Sequence, residues 1–189
     1  MKDIVIKTSN NRILYYYAYG GICVKNLKSC YDNPIMIYPE AVGDFDVIEK
    51  ENGCISVICQ DNDGGIVYLC ENEKSYLKST LLKSKKQISY DKYFRMLKYK
   101  GEVYSFYIIE YEGKRILSFQ QVEKENSLPY AVDEISNPYY FVFTDKHGVL
   151  YVFYEKDGIC GYKYCVDGQW SKFDSIMNGR LMSAISVGE

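Results

Sequence analysis

The chain has very few of the residues on which most metal and hydrolytic sites depend. In 189 residues it contains one histidine, His147, and one tryptophan, Trp170. A single imidazole excludes a zinc site with two histidine ligands inside one chain. No two cysteines have the C-x-x-C spacing, and no nucleophile motif occurs in the sequence. We therefore predict no cofactor, no metal site and no catalytic residue.

The seven cysteines are odd in number and lie at positions 23, 30, 54, 59, 70, 160 and 165. Most fall within predicted strands, where a cysteine behaves as a small buried hydrophobe. A disulfide pair and a reactive thiol are the two weaker alternatives. An odd set of free thiols indicates a reducing compartment, so the expected location is the cytoplasm.

Long apolar runs and an excess of charge of one sign are also missing. No segment approaches the roughly 18–20 continuous apolar residues of a membrane-spanning helix. The apolar stretch at 4–6 is too short for a secretory signal and is predicted to be the first strand. The formal net charge is −2, and charges of both signs are scattered along the chain. We therefore expect neither nucleic acid nor a membrane as a partner.

Tyrosine is abundant, with 21 residues, and a turn followed by an apolar strand recurs four times. The turns are marked by Asn11, Gly53, Gly101 and Gly148, and subtraction of these positions gives spacings of 42, 48 and 47 residues. Glycine and asparagine accept the positive φ that tight hairpins demand. A period of about 40–50 residues with four short strands per unit is typical of propeller blades.

The predicted fold is all-β: one β-propeller domain over 1–189, with four-stranded antiparallel blades at 2–42, 45–86, 93–136 and 139–177. The second strand of each unit is apolar on both faces. In the fourth unit the two faces carry Val149, Tyr151 and Phe153, and Leu150, Val152 and Tyr154, respectively. A sheet with one wet face would alternate apolar and polar residues. Both faces of each blade are therefore predicted to be buried against neighbouring blades.

Residues 180–188 match the opening strand of a fifth unit, so the prediction is four blades plus one strand of a fifth. One explanation is that the chain is a fragment of a longer propeller. The other is that the strand completes a blade elsewhere, in a neighbouring chain or by closing the ring on the first unit. An unpaired strand and an open blade face favour association. We therefore predict that the isolated chain self-associates.

Two motifs of the fourth unit carry a resemblance. The pattern Asp-x-x-Gly-apolar-Leu-Tyr at 145–151 opens its second strand, and Gly-x-Trp at 168–170 opens its last strand. These turn-and-strand patterns resemble the β-propeller repeats of lectin-type and uncharacterised bacterial propellers, and the resemblance extends over nearly the whole chain. The resemblance implies hairpin geometry and a propeller fold. The Asp-box of sialidase-type propellers, the Trp-Asp ends of WD40 repeats and the paired glycines of kelch repeats are absent.

Several local patterns resemble functional sites. The run 61–65, Asp-Asn-Asp-Gly-Gly, starts like a calcium loop but has Gly65 at the fifth position and Asn72 at the twelfth, so a hairpin turn is predicted. His147 precedes Gly148 and is predicted to be a turn residue. The clustered carboxylates are Glu110, Glu112, Asp133 and Glu134. A glycosidase would need two of them about 5–10 Å apart across a sugar, and solvated strand ends are the favoured alternative.

The basic run comprises Lys83, Lys85 and Lys86, with Lys78 and Lys92 nearby, and it is predicted to be a solvated loop. Trp170 is predicted to pack between blades. Some of the tyrosines should be exposed, and such rings suit stacking on sugars or anchoring a protein partner.

Three function classes remain. The favoured class is a non-catalytic binding or scaffolding propeller that mediates protein–protein interaction or self-association. The alternative is a carbohydrate-binding, lectin-like propeller, with a carbohydrate as its partner. An enzyme of the glycosidase or lactonase type is the least favoured. The sequence assigns no residues to a ligand-binding site.

Overall fold

The computed structural model describes residues 2–8, 11–28, 33–72, 75–84, 87–88, 93–179 and 181. These residues form seventeen β-strands in four antiparallel sheets, which confirms the all-β prediction. Within each sheet the first four strands are neighbours in chain order, as in the blade predicted from the repeats. The chain divides into two compact units, Met1–Met96 and Leu97–Glu189.

The first unit holds two sheets. The first sheet contains β1 (Asp3–Lys7), β2 (Arg12–Ala18), β3 (Gly21–Asn26) and β4 (Ile35–Tyr38). The second sheet contains β5 (Ala41–Glu49), β6 (Ile55–Asp61), β7 (Ile66–Asn72) and β8 (Ser75–Leu82).

The other two sheets follow in the same order. The third sheet contains β9 (Arg95–Tyr99), β10 (Glu102–Tyr111), β11 (Lys114–Gln121) and β12 (Tyr130–Ile135). The fourth sheet contains β13 (Tyr140–Thr144), β14 (Leu150–Lys156), β15 (Ile159–Val166), β16 (Gln169–Trp170) and β17 (Asp174–Asn178). The last strand of the fourth unit, which the Gly-x-Trp pattern at 168–170 is predicted to open, is broken into β16 and β17, which both pair with β15.

The predicted hairpin turns are present. Gly53 and Gly148 have φ values of 80° and 77°, a region that residues with a Cβ rarely adopt. In each case the glycine N–H donates to the carbonyl oxygen three residues earlier, at 3.0 Å. These turns set the register of the strands that they connect.

A single apolar core lies between the first and second sheets. Tyr15 and Ile22 of the first sheet and Phe45, Val57 and Leu69 of the second sheet belong to it, and each is at most 1% exposed. The aromatic and β-branched side chains that the sequence places at alternate strand positions fill this layer, as sheet packing requires.

The third and fourth sheets also pack face to face. Trp170 lies edge-on to the rings of Phe106 and Phe119, with centroid separations of 6.1 and 5.4 Å. The hydroxyl of Tyr140 donates to the carbonyl oxygen of Phe106 at 2.9 Å. Because Trp170 belongs to the fourth sheet and both phenylalanines to the third, the prediction that Trp170 packs between blades is confirmed.

The prediction that both faces of every second strand are buried holds only in part. In β6, Val57 and Ile58 point to opposite faces and both are 0% exposed. In β14, Leu150 and Val152 are 0% exposed, whereas Tyr151 and Phe153 on the other face are only half-buried. For the fourth sheet the prediction of two-sided burial is therefore wrong, because its second apolar face is only half-covered in the part of the chain that the structure describes.

Other predictions concern residues outside the described ranges. The extra strand at 180–188 lies outside the described residues except for Leu181, as do Cys30, Lys85, Lys86 and Lys92. The single domain over 1–189 and its blade boundaries stay predictions. Among the residues that the structure describes, no helix is long and apolar enough to cross a membrane.

Candidate interaction surface

Six aromatic side chains cover one face of the fourth sheet. Cross-strand register places Phe141 opposite Phe153 and Tyr151 opposite both Phe143 and Tyr164. The set consists of Phe141 and Phe143 in β13, Tyr151 and Phe153 in β14, and Tyr162 and Tyr164 in β15. Side chains two residues apart on a strand share a face, so period-2 aromatic spacing on three adjacent strands produces this surface. We call it the aromatic face.

The rings of the aromatic face touch one another along and across the strands. Phe143 is stacked on Tyr151 at a centroid distance of 5.2 Å, and Phe153 is stacked on Tyr162 at 5.2 Å. Tyr151 also contacts Tyr164, at 6.1 Å. Contacts of this kind contribute about 0.5–1.5 kcal/mol per pair beyond simple burial. Each ring therefore restricts the rotation of its neighbours.

Burial differs sharply between the two faces of this sheet. On the inner face Leu150, Val152 and Cys165 are 0% exposed. On the aromatic face the rings are half-buried, and Tyr164 is 40% exposed. A contiguous, partly exposed set of apolar rings makes this face the candidate interaction surface of the fourth sheet.

The rim of the aromatic face adds apolar and acidic groups. Val166 and Met177 are 42% and 62% exposed. The hydroxyl of Tyr162 donates to the Asp174 carboxylate at 2.9 Å, and this bond raises the pKa of the tyrosine. The rim thus offers a negative charge beside an apolar centre, an arrangement common to protein interfaces.

The clustered carboxylates predicted as a catalytic alternative are engaged differently from one another. Asp133 accepts hydrogen bonds from Tyr154 and Lys156, each at 2.6 Å, and its other ion pair is with Lys163 at 3.0 Å. Glu134 is the next residue along β12 and therefore points to the opposite face, where it pairs with Lys114 at 2.8 Å. Glu110 and Glu112 lie at the end of β10 and in the turn that follows it. The two β12 carboxylates thus lie on opposite faces of the sheet, and each is paired with lysine side chains.

The calcium-like run 61–65 is a hairpin turn, as predicted. The Asp61 carboxylate accepts hydrogen bonds from the N–H groups of Asp63 at 3.2 Å and Gly65 at 2.6 Å. Asp145 does the same for His147 and Val149, both at 2.9 Å. His147 is an exposed member of that turn. Both aspartates therefore stabilise turns, because their carboxylate oxygens, the atoms that would bind a metal, accept hydrogen bonds from backbone N–H groups.

Replacing either turn aspartate should weaken the fold modestly. Asp61→Ala and Asp145→Ala each remove two hydrogen bonds to backbone N–H groups, so each should lower the free energy of unfolding by about 1–2 kcal/mol. Urea unfolding followed by circular dichroism measures this loss. Asp63→Ala, in the same turn, is the matched control and should change stability by less than about 0.5 kcal/mol. Equal losses of unfolding free energy for Asp61→Ala and Asp63→Ala would contradict the role of the Asp61 carboxylate in closing the turn.

The remaining candidate residues are the lysines of the basic run and the cysteines. Lys78 donates to the Tyr38 hydroxyl at 2.6 Å, and Lys83 is exposed. Six cysteines are described and all are free thiols, of which Cys23, Cys59 and Cys165 are buried and the other three partly exposed. The structure contains no group of three or more His, Cys, Asp or Glu side chains placed to bind a metal within its described ranges.

Sequence reasoning singled out Tyr151 and Phe153 as one face of a strand, but it missed the other four rings of the aromatic face. The signal that could have found them is aromatic residues at alternate positions in three successive strands. Phe141 and Phe143, then Tyr162 and Tyr164, repeat the spacing of Tyr151 and Phe153.

Comparisons with known proteins show the fold and no family. No protein-family model matches the chain, and no curated protein matches it. Sixteen chains of solved structures do match.

One of these structures is AofleA from Arthrobotrys oligospora, with a TM-score of 0.57 and 13% identity over 90% of this chain. Another is an α-L-arabinofuranosidase, CtGH43, from Clostridium thermocellum ATCC 27405, with a TM-score of 0.51 and 16% identity over 94% of this chain. This chain spans 55% of the AofleA chain and 73% of the arabinofuranosidase chain. At such identities the likeness concerns fold alone, and together with the four antiparallel sheets it shows that this chain has a β-propeller-type fold.

Proposed function

We propose that this chain is a non-catalytic binding and scaffolding propeller that makes protein–protein contacts through the aromatic face. The observation that carries the proposal is the contrast in the fourth sheet between an inner face, where Leu150, Val152 and Cys165 are 0% exposed, and a half-exposed face of six rings. Aromatic residues are the side chains most enriched at the centres of protein interfaces.

The preorganisation of the rings supports binding. The stacked pairs Phe143–Tyr151 and Phe153–Tyr162 restrict the rotation of their side chains before association. Immobilising a flexible side chain on binding costs about 0.5–1.5 kcal/mol, and rings already held by neighbours avoid much of that cost.

The arrangement of the carboxylates supports a role without catalysis. Asp133 is 9% exposed and is bound by two lysines and a tyrosine hydroxyl, and burial together with the hydrogen bond to Asp133 raises the pKa of Tyr154. A general acid needs a pKa near the working pH, and the pKa of Asp133 is moved below its ordinary range.

Photocrosslinking from the aromatic face tests the proposal. A benzoylphenylalanine placed at position 164 in place of Tyr164 should form protein adducts when irradiated in the cells that make the chain, with the partner peptide identified by mass mapping. The same group in place of Tyr111, which is 64% exposed on the third sheet, is the control and should form none. Adding Tyr151→Lys, which puts a charge at the centre of the face, should abolish the adducts. A face that forms no adduct contradicts the proposal.

A carbohydrate ligand is the second candidate. It is favoured by the three tyrosines of the aromatic face, because an apolar ring with a hydroxyl at its edge suits stacking on a sugar. One of the solved structures with a similar fold is named an α-L-arabinofuranosidase. Binding on a glycan array that is lost in Tyr164→Ala would support this candidate, and an array without a hit would eliminate it.

A further inference from the structure

The packing of the sheets follows one rule inside each unit. In the first unit, Tyr15 and Ile22 of the first sheet lie in the same core as Val57 of the second sheet. In the second unit, Phe106 of the third sheet contacts Trp170 of the fourth. In each unit, the face of the first sheet that meets the second sheet is called its forward face, and the face of the second sheet that receives it is called its backward face. The opposite face of a sheet takes the other name, so the aromatic face is the forward face of the fourth sheet, because it is opposite to the face that meets the third.

The backward face of the first sheet is the counterpart of the aromatic face. It lies opposite Tyr15, and its apolar members are Val5, Leu14, Tyr16, Cys23 and Met36. Val5 is 54% and Met36 40% exposed, whereas Leu14 and Tyr16 are half-buried.

The charges of these two faces differ in sign. Lys7, Arg12 and Lys25 lie on the same side of the first sheet as Val5 and Leu14, together with one acid, Asp3. The rim of the aromatic face carries Asp174. Opposite charges across an interface guide encounter and set the orientation of the partners.

We propose that the aromatic face of one copy packs on the backward face of the first sheet of a second copy. This inference rests on the proposed function and names the partner. The contact continues between molecules the forward-to-backward packing that each unit shows inside the chain. Two different surfaces meet, so the association is heterologous, and it closes into a ring or extends head to tail.

Charge substitutions at exposed positions test each surface separately. Tyr164→Lys alters the aromatic face and Val5→Glu the backward face, and both residues are exposed enough for the fold to tolerate the change. Analytical ultracentrifugation should show concentration-dependent association of the wild type and at least about a hundredfold weaker association of either variant, because each buries an unpaired charge. Tyr111→Lys is the matched control and should associate like the wild type.

Mixing the two variants gives the decisive result. Val5→Glu keeps an intact aromatic face and Tyr164→Lys keeps an intact backward face, so an equimolar mixture should form a complex through these two intact surfaces. A wild type that stays monomeric at all concentrations overturns the inference, and so does a mixture that fails to form this complex. If circular dichroism shows either variant unfolded, Val166→Lys and Met36→Glu replace the pair and must give the same pattern.

The crosslinking experiment separates the two proposals. An adduct between position 164 and the first sheet of another copy supports both. An adduct with a different protein supports the proposed function and overturns the inference about the second copy. The lack of any adduct overturns both.

Discussion

Replacing Gly161 with alanine is expected to lower the free energy of unfolding by about 3 kcal/mol, because the added methyl group has no space. A Cβ at this position would lie 2.5 Å from Cζ of Phe173 and closer still to the carbonyl oxygen of Asp174. The ring could rotate, but the carbonyl belongs to the backbone of β17. Relief therefore requires β17 to separate from β15, which removes ladder hydrogen bonds along with the steric contact.

Two further variants make the prediction for Gly161 specific. Gly158→Ala is the control, because Gly158 has φ of 75° and open space around it, so only backbone strain of about 1 kcal/mol is expected. The double variant with Phe173→Ala removes the ring contact and leaves the carbonyl contact, so it should recover part of the loss. Urea unfolding midpoints measure all of these. Equal losses for Gly158→Ala and Gly161→Ala would contradict the steric explanation.

Phe173 also shows why sequence reasoning predicted one strand where there are two. The composition of the segment 170–176 is compatible with one strand. Phe173 nevertheless lies between β16 and β17, outside the paired residues, and its ring packs on Tyr154 with centroids 5.1 Å apart. The space for its ring exists because Gly161, on a different strand, has no side chain. A contact between residues far apart in sequence has no local signature, so the break could not be predicted.

The strands and their faces were predictable for a simple reason. Hairpin turns and apolar spacing are local, so Gly53 and the run 55–59 were sufficient to predict β6 and the burial of both its faces. The same reasoning applied to 149–153 predicted the right strand and the wrong burial. The spacing of apolar residues shows which faces of a strand are apolar. Whether such a face is buried depends on which other element packs against it. The sequence thus identified two side chains of the aromatic face, Tyr151 and Phe153. It did not show that this face is exposed.

Replacing Asp133 with asparagine is expected to lower the free energy of unfolding by about 2 kcal/mol at pH 7. Its carboxylate, on β12 of the third sheet, is 9% exposed and joins that sheet to the fourth through Tyr154, Lys156 and Lys163. Lys163 is only 16% exposed and would keep its charge without a carboxylate partner. Its bond to the carbonyl oxygen of Val132, at 2.8 Å, would remain and limit the loss.

The loss for Asp133→Asn should depend on pH in a defined direction. Burial by itself raises the pKa of Asp133, but the hydrogen bonds from Lys156, Tyr154 and Lys163 outweigh it, and the net pKa is lowered. A carboxyl with a lowered folded-state pKa stabilises the fold fully above its unfolded-state pKa of about 3.9, and that stability is lost as the pH falls through the folded-state value. The gap between wild type and variant should be constant above about pH 5 and shrink below about pH 4.

The neighbouring residue provides the control for Asp133. Glu134→Gln removes the carboxylate from a pair with Lys114 in which both side chains are about half exposed, so stability should change by less than about 1 kcal/mol. Urea unfolding of both variants at pH 7 and pH 3 measures the difference. If Asp133→Asn and Glu134→Gln lose the same stability at pH 7, or if the gap for Asp133→Asn widens in acid, the carboxylate does not join the two sheets by ionic hydrogen bonds. If the gap closes in acid for Asp133→Asn alone, its ionised form holds the third and fourth sheets together, and the inner face of the fourth sheet is fixed in place while its aromatic face stays open to a partner.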